Sequence, residues 1–194
     1  MASDLDAGSR TVFGPGHLDD IPIARAVAAS CAVPVLYAPV RIGDRDYISA
    51  GSDDVAHIDI AVADGARKVI VINPAVPVHT DPSILDVPTG HGPKKRVRDK
   101  GLLWVHSQSY RLETVGRLTT GLAAYRKVHP EIEVHLVEPA RDQASIFLHS
   151  PMNFAARRAI LVEAYSATRR ALRAPDSALR LALEGQGLSM RREA

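Results

Sequence analysis

The chain has 194 residues, 46% hydrophobic and 24% charged, with a formal net charge of +2. This balance is that of a globular protein, long enough for one domain with a core and too short for two full ones. So small a net charge gives no argument for a nucleic-acid partner. The single cysteine, Cys31, excludes a disulfide within the chain and is typical of a reducing compartment. We expect it to be a small buried hydrophobic residue.

Neither a membrane span nor a signal peptide is recognisable in the sequence. No run approaches the roughly 18 apolar residues that cross a bilayer. The first ten residues lack the apolar centre of a signal peptide. The expected location is therefore cytoplasmic, with peripheral contact to a membrane left open.

The first fifty residues predict short extended segments, one helix and a hairpin. A run of Asp and Gly predicts a turn between two short strands, and the prolines that follow the helix and precede the hairpin are typical element boundaries. These elements are expected at residues 4–13, 21–32 and 36–48.

Beyond residue 53, helical and strand patterns alternate, which predicts an α/β fold with a layered, mostly parallel sheet flanked by helices. The β-branched run 68–72 predicts a strand buried on both faces. Gly65 is the expected C-terminal cap of the helix before it. The remaining elements are predicted as a mobile loop at 74–101, helices at 102–128 and 155–172, a strand at 133–137, and a short helix followed by a disordered tail within 174–194.

Helical spacing also predicts which side chains of the two long helices face the core. In the 102–128 helix the expected apolar stripe comprises Leu112, Val115, Leu118, Leu122 and Tyr125. In the 155–172 helix the expected inward set comprises Ile160, Leu161, Ala164, Tyr165 and Thr168, with its paired arginines outward.

Several of these stretches resemble patatin-like phospholipase (acyl hydrolase) domains of a bacterial subgroup. The stretches that carry the resemblance are the Asp-Leu-Asp turn at 4–8, A-x-x-A-S-C-A-V-P at 26–34, the hairpin with its small-residue corner Ser49-Ala50-Gly51, Val-Ile-Asn-Pro at 71–74, Gln-Ser-Tyr-Arg at 108–111, Val-His-Leu-Val-Glu-Pro at 134–139 and the Phe147–Phe154 segment. The resemblance covers most of residues 1–173 and implies lipid ester hydrolysis without a metal or an organic cofactor. It also implies that the first strand, the oxyanion loop and the nucleophile elbow would precede Met1, leaving the domain incomplete.

The catalytic residues of that family are not found in this sequence. Its enzymes use a Ser–Asp dyad, with the Ser on a G-x-S-x-G elbow that occurs nowhere in these residues. Ser49 stands where the family has its Asp, and a hydroxyl cannot act there as a base. Asp53 and Asp54 are the nearby carboxylates that could replace the catalytic Asp, but they lie several ångströms further along the corner than position 49, beyond the positional tolerance of catalysis. We expect them instead to cap the start of the following helix. We therefore expect the chain alone to be inactive.

Two alternatives remain open. One is a non-catalytic binding or assembly module, whose partner would be a lipid surface, another protein, or a second copy that pairs with exposed sheet edges. The other is a metal-dependent hydrolase that uses the acidic corner, where Asp53, Asp54, His57 and Asp59 cluster in sequence. Helical geometry brings only two of these four residues to one face, which argues against a metal site.

Overall fold

The computed structural model describes residues 1–50, 56–78, 96–139, 153–174 and 176–184. The chain forms two compact units, residues 1–53 and 54–194. Each unit combines helices with a small sheet, and this confirms the mixed α/β class. The described strands form one antiparallel and one parallel sheet, rather than the single, mostly parallel sheet that we expected.

The first unit contains a four-stranded antiparallel sheet with strand order β2-β1-β4-β3. Its strands are β1 (Ala2–Asp4), β2 (Ser9–Thr11), β3 (Val40–Ile42) and β4 (Arg45–Ser49). The predicted hairpin is confirmed, with Ile42 opposite Arg45 across a two-residue turn. Gly43 begins that turn with a φ of +60°, a conformation that glycine adopts without a steric penalty.

Helix α1 (Ile23–Ser30) contacts β1, β3 and β4 and covers one face of this sheet. Ala29 packs there against the buried Ala2 and Tyr47, because a small side chain lets the helix lie close to the strands. The expectation that Cys31 is buried is wrong, since its side chain is exposed. At 3.6 residues per turn, a residue two positions after the inward Ala29 faces away from the sheet.

Helix α2 (Ile58–Ala63) opens the described part of the second unit and begins later than the helix start that we expected at Asp53 and Asp54. Ala56 and His57 have positive φ angles of 50° and 59°, which are incompatible with a helix, so the helix begins only at Ile58. At its C-terminus, Gly65 has a φ of +97° and donates its N–H to the carbonyl of Val62. The N–H of Ala66 reaches the carbonyl of Ala61, which completes a Schellman motif and confirms the predicted glycine cap.

Strands β5 (Lys68–Ile72) and β6 (Glu133–Val137) form a parallel pair, as the sequence predicts. Helix α3 (Leu102–Val128) also has its predicted bounds and follows a 3₁₀ turn at Val97–Lys100. The core of this unit comprises Ile58, Val71, Leu118, Leu122, Ile132 and Val134. The stripe on α3 reaches that core only in its C-terminal half, because Leu112 is 57% exposed.

The second face of β5 is open within the described residues. Val71 packs on the core, whereas Ile70 and Ile72 are 38% and 74% exposed. The expectation that β5 is buried on both faces is therefore wrong for this part of the structure. No described element lies over Ile72, and the β-branched run alone carries no information about which neighbours cover it.

Helix α4 (Arg157–Arg173) follows a 3₁₀ turn at Phe154–Ala156, and α5 (Ala178–Glu184) contacts both α4 and β6. The predicted inward face of α4 is wrong, since Leu161 and Tyr165 are 69% and 60% exposed. Most of the predicted loop, at 79–95, and the predicted tail at 185–194 lie outside the described residues. Among the helices described, none is both long and apolar enough to cross a bilayer.

Candidate functional site

Ser49 lies at the end of β4, in the corner that the sequence singles out. It pairs with Ala2 of β1, and its N–H donates a 3.0 Å hydrogen bond to the carbonyl of Ala32, just after α1. The strand end is thereby tied to the end of the helix. The rest of the corner, including the candidate residues Asp53 and Asp54, lies outside the described residues.

A carboxylate that the sequence analysis did not single out shares the face of the sheet that carries Ser49. Side chains alternate along β4, so Arg45, Tyr47 and Ser49 lie on one face. Asp4 is directly opposite Tyr47 in the antiparallel register. Asp4 and Ser49 are therefore diagonal neighbours, with Cβ atoms about 7–8 Å apart in such pairs.

The carboxylate of Asp4 is buried, with 2% of the side chain exposed, and is fully engaged. Its Oδ1 accepts the N–H of Asp6 at 3.0 Å and that of Ala7 at 2.9 Å. Its Oδ2 accepts a 2.6 Å hydrogen bond from the guanidinium of Arg45. These bonds, that of Ala7 foremost and then that of Arg45, hold the pKa of Asp4 below its usual value.

This geometry does not make a Ser–Asp dyad. A general base must lie within hydrogen-bond reach of the hydroxyl that it deprotonates, and its pKa should be near the working pH. Asp4 is too far from Ser49 and has a lowered pKa, so it meets neither condition. Its role is structural: it closes the β1–β2 turn and ties this turn to β4. The turn-forming Asp-Leu-Asp-Ala-Gly run was the available signal, since Asp side chains accept hydrogen bonds from the backbone two or three residues on.

A second polar cluster lies at the carboxyl edge of the β5–β6 pair, where α/β proteins often place ligands. Asn73 follows β5, is buried, and donates its backbone N–H to the carbonyl of Val137 at 2.9 Å. Its Nδ2 donates to Oε1 of Glu138 at 2.7 Å, and its Oδ1 accepts the N–H of Ala75 at 3.0 Å. The amide of Asn73 therefore joins the two strand ends and shapes the segment that follows.

Two side chains of α3 hold that segment. Gln108 bonds both backbone groups of Val78, accepting its N–H at 3.0 Å and donating to its carbonyl at 2.8 Å. Arg111 donates to the carbonyl of Val76 at 3.0 Å. Burial lowers the pKa of the Arg111 guanidinium. The motif at 108–111, singled out only by resemblance, thus fastens residues 76–78 to α3.

The metal-dependent alternative requires a cluster of metal-binding side chains. In the described part of the chain, no group of three or more His, Cys, Asp or Glu side chains could hold a metal ion. His57 precedes α2 and Asp59 lies in its first turn, while the other two acidic candidates lie outside the described residues.

An open cavity of about 430 Å³ lies beside α1. Its lining is mostly apolar and comprises Ala28, Cys31, Ala32, Tyr37, Ala38 and Val40. Among these described lining residues, none has a carboxylate or an imidazole that could activate the Cys31 thiol.

No protein-family model matches this chain, and no curated protein matches it in sequence. The resemblance to patatin-like hydrolases therefore rests on the motifs quoted above. Among the described residues, the corner at Ser49 is the part of the molecule that bears most directly on that resemblance.

Proposed function

We propose that this chain corresponds to the part of a patatin-like acyl hydrolase domain that follows the nucleophile elbow, and that it does not hydrolyse lipid esters by itself. The motifs quoted above support the family. The order of α1, the β3–β4 hairpin, α2 and β5 is compatible with it. In this proposal β5 and β6 belong to a larger layered sheet, and the open face of β5 supports that arrangement, since parallel strands are usually covered on both faces.

The observation that carries the proposed inactivity is the chemistry at the end of β4. Ser49 occupies the position that the resemblance assigns to the catalytic base. The carboxylate beside it on the same face, that of Asp4, is bound by two backbone amides and Arg45. Loss of the acidic member of such a catalytic set lowers turnover by about 10⁴. Both members of the dyad are missing here, so turnover should be undetectable.

A fluorophosphonate probe and p-nitrophenyl esters test this proposal on the full chain. We expect no labelling, no burst and no turnover. Ser49→Asp should remain inactive, because it restores a base without a nucleophile. Ser49→Ala is the matched control and should behave like the wild type. Stoichiometric labelling that Ser49→Ala abolishes would overturn the proposal.

The exposed face of β5 favours a second candidate, an assembly module without catalysis. Ile72 is an apolar strand residue that is 74% exposed, and such a face promotes association. If the module interpretation is correct, the sedimentation mass should rise with concentration, and Ile70→Ser/Ile72→Ser should abolish that rise. Val128→Ser, at an equally exposed position on α3, is the control. A mass that stays monomeric at every concentration would contradict self-assembly.

A further inference from the structure

We draw no further inference here: the strongest candidate, the open apolar cavity beside α1 that is lined by Ala28, Cys31, Ala32, Tyr37, Ala38 and Val40, carries nothing, because its lining is mainly small residues and a single cysteine and nothing in the described part of the chain shows what ligand would fill it.

Discussion

The guanidinium of Arg45 donates a 2.6 Å hydrogen bond to the carboxylate of Asp4, which lies 41 residues earlier in the chain. This bond joins the second strand of the hairpin to the first strand of the unit. It also occupies the carboxylate of Asp4, the one described carboxylate on the Ser49 face of the sheet, and so leaves it unsuited to act as a general base. The same bond therefore stabilises this region and helps to hold the pKa of Asp4 below its usual value.

Replacement of Asp4 by Asn should destabilise the first unit and make its free energy of unfolding less dependent on pH in acid. Hydrogen bonds hold the folded-state pKa of Asp4 below its ordinary value of 3.8. Its contribution to stability is therefore fully present above that value and is lost as the pH falls through the folded pKa. Urea unfolding between pH 2 and 7 should show a shallower decline below pH 4 for Asp4→Asn than for the wild type.

Asp46→Asn is the matched control for that experiment. Its ion pair with Arg41, at 2.7 Å, is solvent-exposed, and such pairs contribute about 0–1 kcal/mol. We expect a small change in the free energy of unfolding and almost no change in its decline below pH 4. Equal acid profiles for Asp4→Asn and the wild type would contradict the role assigned to the buried carboxylate.

Gln108→Ala should destabilise the protein by about 1–3 kcal/mol, because it leaves the N–H and carbonyl of the buried Val78 without their side-chain partner. Hydrogen exchange at the Val78 amide should accelerate in the variant. Ser109→Ala, at the exposed neighbouring position, should change neither quantity. Unaltered exchange at Val78 in Gln108→Ala would show that the segment is held by other contacts.

Leu118→Ala should cost about 2–5 kcal/mol, since the side chain is buried in the core of the second unit. Leu112→Ala lies on the same predicted stripe but at an exposed position, and should change the stability by less than about 0.5 kcal/mol. Comparing the free energies of unfolding of the two variants in denaturant tests whether only the C-terminal half of α3 is packed against the core. Similar losses at both positions would mean that Leu112 is covered.

Two glycine-to-alanine substitutions should change the stability of the protein in opposite directions. Gly65→Ala forces a side chain into a φ of +97° and should destabilise the protein by about 1 kcal/mol. Gly116 lies inside α3, and a Cβ atom there would meet no atom within 4 Å apart from its chain neighbours and the adjacent helix backbone. Gly116→Ala should therefore stabilise the helix by about 0.5–1 kcal/mol. Thermal melting of both variants measures the difference, and a stabilising Gly65→Ala would disprove the Schellman cap.

Local sequence determined the features that depend on a few neighbouring residues. The bounds of α3, the strands β5 and β6, the existence of the β3–β4 hairpin and the Gly65 cap all follow from periodicity and backbone preferences that act within one or two turns of chain. The absence of a G-x-S-x-G elbow was likewise readable from the sequence alone.

Only the tertiary structure decided which surfaces are covered and which polar groups meet. The pairing of Asp4 with Arg45 depends on β1 lying beside β4, and no local pattern encodes that neighbour. The same reason explains the outward side chains of Cys31 and Leu161. An amphipathic pattern defines an apolar face, but whether protein, lipid or solvent covers it depends on elements that are distant in the chain.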